Sequence, residues 1–156
     1  MLRNRRPLAA ALLILAALGV SGCSTTVSMT PAADANDPLC AEVTVRLPDS
    51  VDGQDRQWTD AQATGAWGSP AAVLLTCGVT PPGPSTLPCE TVNGVDWLID
   101  GSDAPNYLFT TYGRTPAVEV YLDYDVVSGN ESLQALSSAV GTLPADGGKC
   151  TDRPAP

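Results

Sequence analysis

The chain has 156 residues, of which 17 are acidic, eight are basic and none is histidine, so its formal net charge is −9. The scarcity of Lys and Arg excludes a nucleic-acid-binding surface, which needs clustered basic side chains to displace counterions from phosphates. The absence of histidine removes the commonest general base, every histidine-dependent catalytic triad and the imidazole ligands of most metal sites.

The first 23 residues have the pattern of a bacterial lipoprotein signal. Three arginines precede an apolar run over 8–20, which is too short for a transmembrane helix because that needs about 20 apolar residues. Ser21 and Gly22 then precede Cys23, as in a lipobox. We predict a signal peptide over 1–22 and a lipid anchor, diacylglycerol with palmitate, on Cys23. The alternative is an ordinary secretory signal followed by an incidental cysteine.

Lipid attachment is also what the charge of the exported chain favours. Without residues 1–22, five basic and seventeen acidic side chains remain, a formal charge of −12. An anionic bilayer repels such a domain, so the sequence predicts that it is held at the extracytoplasmic face of the cell membrane by lipid, at about 0.8 kcal/mol for each buried methylene. The stretch 23–37 is small and polar, and we predict that it is the lipidated cysteine with a flexible tether that reaches about 20 Å.

Residues 38–150 are enough for one globular domain with one hydrophobic core, and 151–156 are expected to form a disordered tail. Asp37 and Pro38 predict the start of a helix, as an N-cap followed by proline at the first helical position. An apolar spacing of four continues this helix until Pro48 stops it.

A series of β-rich segments follows the first helix. The run 72–79 is apolar on both faces, as in a central strand covered on both sides. Asn93-Gly94 is a strong two-residue turn signal, and Val118, Val120 and Leu122 alternate with polar residues. The strand candidates are 54–60 as an edge strand, 72–79, 90–92, 95–99, 107–112 and 117–125, the last two paired antiparallel.

A second helix follows the last strand candidate. Asn130 is its expected N-cap and Gly141 its stop, and the apolar stripe between them is Leu133, Leu136, Ala139 and Val140. The pattern predicts an α+β fold, a single domain in which an N-terminal and a C-terminal helix pack on an antiparallel sheet of about five strands, with two disulfides.

The two disulfides follow from four further cysteines in an oxidising compartment. Four cysteines allow three connectivities, and sequence alone does not choose among them. Local geometry favours Cys77 with Cys89, which flank a Pro/Gly-rich loop, and this leaves Cys40 with Cys150, a closure that stabilises by about 3–5 kcal/mol. A zinc site is disfavoured because the chain has no histidine and no CxxC pair. We predict no metal and no cofactor.

Catalytic candidates are few. A Ser/Lys pair would depend on Lys149, which lies beside Cys150 near the tail and is poorly placed as a base. Glu119 and Asp123 share one strand face and could act as acid and base on a glycan. Alternation on a half-exposed strand also produces this pattern, so a solvated face is the favoured interpretation. We predict that the protein is not an enzyme.

Arginine and tryptophan are over-represented in binding hot spots, which makes Arg114, Trp58, Trp67 and Trp97 the candidate binding residues. Arg114 lies in a predicted hairpin loop, where its guanidinium could hold a carboxylate or phosphate or pair with one of the chain's own acids. Trp97 is expected in the core because it alternates with apolar neighbours, and Trp67 is expected to close one end of the sheet.

A set of short motifs across the domain resembles a family of actinobacterial lipoproteins that share a domain of unknown function. The motifs are Leu39-Cys40, Leu47-Pro48, Trp67-Gly68 with Pro70, Leu75 with Cys77-Gly78-Val79, Cys89, Asn93-Gly94-Val95-Asp96-Trp97, and Tyr112-Gly113-Arg114 with Pro116-Ala117-Val118. The resemblance implies an exported, lipid-anchored domain and supplies no activity or ligand.

The sequence therefore favours a non-enzymatic lipoprotein whose domain binds another envelope component, either a protein or a cell-wall polymer. The first alternative is a carboxylate-dependent envelope hydrolase. A second is a receptor that captures a solute for a transporter, which is disfavoured because such receptors have two lobes and this chain is short.

Overall fold

The computed structural model describes residues 26–151. The predicted signal peptide, the lipidation site Cys23 and residues 152–156 of the predicted tail lie outside this range. The described chain is a single domain with 15% helix and 36% strand. The predicted α+β fold with about five strands is wrong, because one antiparallel sheet of eight strands dominates the domain and only two short helices accompany it.

The elements are numbered here in chain order. Helix α1 is Pro38–Thr44 and helix α2 is Gly129–Val140. The strands are β1 Ser50–Val51, β2 Gln54–Gln57, β3 Thr64–Trp67, β4 Val73–Val79, β5 Cys89–Val92, β6 Val95–Asp100, β7 Asn106–Tyr112 and β8 Ala117–Asp123.

The sheet consists of two four-stranded meanders, in the order β1-β2-β3-β4-β8-β7-β6-β5. Antiparallel pairing of β4 with β8 joins the two meanders, so the connection 80–88 carries the chain from the middle of the sheet to its far edge. The predicted strand 54–60 contains β2, but β2 lies between β1 and β3 and is not an edge strand. Strands β1 and β3 were not predicted because they have only two and four residues, too few for alternation to be visible.

The sheet curls around α2. This helix contacts β1 and β5, the first and last strands in the sheet order. In a flat sheet, seven strand spacings would place these edges about 34 Å apart, whereas a helix of this length spans about 18 Å. The concave inner face is therefore wrapped around α2, and the convex outer face is turned away from it.

The inner face carries the core. Val118, Val120 and Leu122 of β8 are fully buried, which confirms the predicted alternation. Their counterparts on β4 are Val73, Leu75 and Cys77. On the outer face Leu74 and Thr76 are only half-buried, so β4 is central, as predicted, but is fully covered only on its inner face.

Local signals set the helix ends. Asp37 caps α1, and its carboxylate accepts a hydrogen bond from the backbone N–H of Leu39 at 2.8 Å, as predicted. The predicted N-cap of α2, Asn130, is wrong. The N-cap is Ser128, two residues earlier, and Asn130 is exposed within the first turn. Gly141 is the C-cap, as predicted.

Residues 26–37, predicted as part of a flexible tether, run along the domain instead. The N–H of Val27 donates to the carbonyl oxygen of Trp58 at 2.8 Å, and that of Asp34 donates to the carbonyl oxygen of Gly78 at 3.0 Å. Gly78 has φ +96, and a Cβ there would lie 2.5 Å from the carbonyl carbon of Asp34. Glycine thus permits the close approach, and the folded domain begins well before Pro38.

The disulfides join Cys40 to Cys77 and Cys89 to Cys150. The predicted pairing of Cys77 with Cys89 is wrong because β4 and β5 are not neighbours. Three strands separate them, so four spacings put them about 19 Å apart along the sheet, whereas bridged Cα atoms lie within about 7 Å. The first bridge fastens α1 to the inner face of β4, and the second fastens the segment after α2 to β5.

Candidate functional site

A large concavity lies on the outer face of the sheet at its β5 end. Its volume is about 930 Å³, near the upper end of the range for ligand sites. We call it the β5 groove, and its lining residues are Ser85, Leu87, Pro88, Cys89, Glu90, Thr91, Leu98, Tyr112, Lys149, Cys150 and Thr151. The connection 85–88 and the segment 149–151 thus form parts of its wall, and strands β5 to β7 form the rest.

Asp96 on β6 organises this groove. Its carboxylate accepts hydrogen bonds from the hydroxyl of Thr91 on β5 and, at 3.1 Å, from the backbone N–H of Cys150. The neighbouring bridge between Cys89 and Cys150 holds the same C-terminal segment covalently. One carboxylate and one disulfide therefore hold the C-terminal wall of the groove against the sheet.

The groove combines apolar contact area with separate charges. Leu87, Pro88 and Leu98 supply apolar area, and Glu90 and Lys149 carry opposite charges. Lys149 is exposed, and within residues 26–151 no carboxylate forms a salt bridge with it. Its ammonium group is therefore available to an anionic group of a ligand.

Strand β5 also presents an open edge beside the groove. It pairs with β6 on one side, and no other strand within residues 26–151 pairs with its second side. Glu90 and Thr91 are exposed. The opposite edge of the sheet, β1, has only two residues, so β5 is the longer of the two edges at which another strand could add.

Arg114, the candidate ligand-binding arginine, is engaged inside the domain. Its guanidinium donates hydrogen bonds to the carbonyl oxygens of Gly141, Leu143 and Gly94, the last at 3.0 Å. It satisfies carbonyl groups at and beyond the C-terminal end of α2, which have no partner within the helix. One expectation from sequence is internal pairing with an acid, whereas the structure shows internal bonding to backbone carbonyls.

Two of the three tryptophan candidates, Trp67 and Trp97, are fully buried. The core position expected for Trp97 is thus confirmed. Trp67 donates its indole N–H to the carbonyl oxygen of Pro48 at 3.0 Å, whereas the indole N–H of Trp97 has no partner among the described residues. Neither ring is exposed to a ligand in this conformation.

Glu119 and Asp123 lie on the outer face of β8, as predicted, but do not face each other. Four residues of extended strand place their Cα atoms about 13 Å apart, beyond the carboxylate separations of about 5–9.5 Å that glycoside hydrolysis uses. Neither residue lines the β5 groove. The arrangement gives no support to joint acid and base action.

The pKa of Glu119 yields a pH prediction. Burial raises the pKa of this carboxyl above its ordinary value of 4.5, so the folded state binds the proton more tightly than the unfolded state. The contribution of Glu119 to the free energy of unfolding should therefore fall as the pH rises from 4.5 through the raised pKa. The variant Glu119→Gln should therefore gain stability relative to the parent on going from below pH 4.5 to neutral pH. Urea unfolding at both pH values measures this, and a pH-independent difference would contradict it.

Trp58, the third tryptophan candidate, is exposed, unlike Trp67 and Trp97. Its exposed fraction is 76%, and that of Val45 is 77%. Trp58 lies on the rim of a second cavity of about 550 Å³ that Thr44 and Arg56 also line. The available signal was its polar surroundings, since Gln57 and Thr59 flank it.

The fold and the groove define a small disulfide-bonded β-sheet domain with an edge strand beside the groove. A family model described as "Protein of unknown function (DUF3515)" matches residues 7–147, and the chain belongs to this family. The resemblance to a domain of unknown function is thereby confirmed. No curated protein and no solved structure matches the chain.

Two further findings concern the described part of the chain. Within 26–151, no group of three or more Cys, Asp or Glu side chains is placed to hold a metal ion. None of the helices in that range is both long and apolar enough to cross a bilayer.

Proposed function

We propose that this protein is a lipoprotein anchored through Cys23 at the extracytoplasmic face of the membrane, where it acts as a non-enzymatic interaction module. The anchor rests on the arginine-rich start, the short apolar run and the lipobox-like residues that end at Cys23. The two disulfides support an oxidising compartment. The partner we infer is an extended segment of another envelope protein, bound along β5.

The observation that carries this proposal is the open edge of β5 beside the β5 groove. An exposed edge strand can pair with a strand from another chain, and neighbouring pockets then select its side chains. A groove with apolar walls and separate opposite charges fits the alternating side chains of such a segment. A uniform sugar polymer would gain less from this combination.

The geometry identifies the backbone group that such a partner would use. Val92 and Val95 flank the two-residue Asn93-Gly94 turn and pair directly across it, so they exchange hydrogen bonds. Because bonding sides alternate along a strand, the N–H of Thr91 points away from β6. No acceptor among residues 26–151 bonds to it, so it can pair with a strand added at this edge.

Photocrosslinking in the cells that make the protein tests the proposal. A photoreactive amino acid at Leu87, which is 38% exposed and lines the groove, should form an adduct with an envelope protein. The matched control position is Tyr124, which is 41% exposed and does not line the groove. No corresponding adduct is expected there.

Two substitutions at Thr91 then test the binding mode. Thr91→Pro removes the outward N–H, and proline is tolerated on an edge strand at such a position, so the adduct should be lost. Thr91→Val also removes the side-chain bond to Asp96 but keeps the N–H, so the adduct should persist. Cell-wall fragments at Leu87, no adduct, or an adduct indifferent to Thr91→Pro would overturn the proposed partner.

The anchor has a separate test. Labelled palmitate fed to the same cells should be incorporated into the protein, and Cys23→Ala should abolish labelling and release the protein from the membrane fraction. Unlabelled protein in the soluble extracytoplasmic fraction would instead support the ordinary secretory signal.

A further inference from the structure

An exposed tryptophan, Trp58, lies at the other end of the sheet from the β5 groove. We call Trp58, Val45 and the adjoining cavity the Trp58 surface. Both apolar side chains are about three-quarters exposed, and Val45 directly follows Thr44, which lines that cavity together with Trp58. A single exposed apolar residue is common on protein surfaces, but two such residues beside one cavity form a local apolar surface.

The chain that leads to Cys23 reaches the domain at this surface. The N–H of Val27 donates to the carbonyl oxygen of Trp58 at 2.8 Å, and the N–H of Asp60 donates to the carbonyl oxygen of Val27 at 3.3 Å. Asp60 also accepts hydrogen bonds from Ser28 and from the N–H of Met29 at 2.9 and 2.8 Å. The N-terminal segment is thus fastened beside Trp58 by backbone and side-chain bonds.

The length of chain between that point and the anchor is short. Cys23 precedes Val27 by four residues, and four residues span at most about 14 Å when fully extended. A lipid on Cys23 therefore cannot lie far from the Trp58 surface. A tether of fifteen flexible residues, as expected from sequence, would have allowed the domain to take any orientation.

From this juxtaposition we infer that the Trp58 surface rests on the lipid bilayer and sets the orientation of the domain. The inference depends on the anchor at Cys23 in the proposed function. Tryptophan is enriched at membrane–water interfaces because its ring has an apolar body and a polar N–H. The domain then contacts the membrane with its β2–β3 end. The β5 groove lies away from the membrane, because four strand spacings separate β3 from β6, which lines the groove.

Charge complementarity does not drive this contact. Arg46 and Arg56 lie at this end, but Arg46 pairs with Glu42, and Arg56 donates to the carbonyl oxygen of Leu47 at 3.2 Å. Hydrogen bonds from Met29 and Ser28 lower the pKa of Asp60, which keeps a negative charge here at neutral pH. The contact should therefore form on zwitterionic lipid and weaken as anionic lipid is added.

The test attaches the lipid chemically, so that it does not depend on lipidation in the cell. In the chain that begins at Cys23, this thiol is the only one outside the two disulfides, and it can be coupled to a maleimide phospholipid in phosphatidylcholine vesicles. Vesicles that carry brominated acyl chains should quench Trp58, because Trp67 and Trp97 are buried. The quenchable emission should be lost in Trp58→Tyr and in untethered protein with a capped thiol.

The matched control moves the reporter to the far end of the sheet. Leu87→Trp in the Trp58→Tyr background places an exposed tryptophan in the β5 groove, and the tethered protein should then show no quenching. Equal quenching of both reporters, or quenching of neither, would overturn the inferred orientation. Such a result leaves the anchor itself to the palmitate experiment, so the two failures are distinguishable.

Discussion

Replacing Cys40 and Cys77 together by alanine is expected to lower the free energy of unfolding by about 4 kcal/mol, the loop-entropy contribution of a bridge with this sequence separation. The bridge spans 37 residues, and both cysteines are fully buried. It ties α1 to the inner face of β4, so its removal also loosens the contact between a seven-residue helix and the centre of the sheet. Such a short helix has little stability of its own.

Urea unfolding of the parent and the double variant measures the loss. The matched control is the double variant Cys77→Ala with Cys89→Ala, which breaks both bridges and leaves Cys40 and Cys150 as free thiols. Under the pairing expected from sequence, the same control would break one bridge and leave neither of them free. Thiol labelling of denatured protein, with Cys23 accounted for separately, therefore distinguishes the observed connectivity from the one expected from sequence, and two fewer labels than expected in the control would reject the observed one. The third connectivity, Cys40 with Cys89 and Cys77 with Cys150, would be revealed by two free thiols in Cys40→Ala with Cys77→Ala, where the observed connectivity leaves none.

Replacing Arg114 by methionine is expected to destabilise the domain by about 2–3 kcal/mol, because hydrogen bonds to a charged group each contribute about 1.5–3 kcal/mol and partial exposure reduces their sum. The substitution leaves three carbonyl oxygens without their donor, at Gly141, Leu143 and Gly94. These carbonyls belong to the end of α2 and to the turn between β5 and β6. The side chain thus joins the helix to the strand pair that bears the β5 groove.

The control for Arg114 is Arg46→Met, since Arg46 forms an exposed ion pair with Glu42 one helical turn away. Surface pairs of this kind contribute less than about 1 kcal/mol, so urea unfolding should show a clearly smaller loss. Crosslinking at Leu87 should persist in Arg114→Met at temperatures where the variant is folded. Equal losses in the two arginine variants, or loss of the adduct in folded Arg114→Met, would contradict a purely structural role.

Features that depend on neighbouring residues could be predicted from the sequence. The cap at Asp37, the turn at Asn93-Gly94 and the alternation through Val118 and Val120 each rest on contacts within a few residues. Local energetics determine them wherever the segment lies in the fold. The prediction of helix α2 succeeded for the same reason, apart from its cap.

The candidate site was not visible in the same way. Lys149 was noticed only as a poorly placed base, because the sequence does not show that 149–151 fold back onto β5 and β6. The sequence predicts the core position of Trp97 from its apolar neighbours, but it gives no position for Trp58 and makes all three tryptophans binding candidates. Exposure depends on what packs above each ring, and for Trp58 nothing in the described chain covers it.

The sequence by itself determined the approximate positions of the longer elements, the acidic character of the chain and its predicted export signal, because each is a property of one stretch of chain. Only the tertiary structure decided that β8 lies between β4 and β7, that Cys40 pairs with Cys77, and that 26–37 dock beside Trp58 and Gly78. These outcomes depend on which distant segments share a surface. The segments that share a surface are brought together when the sheet curls around α2 and buries its inner face. No local sequence pattern determines which segments these are.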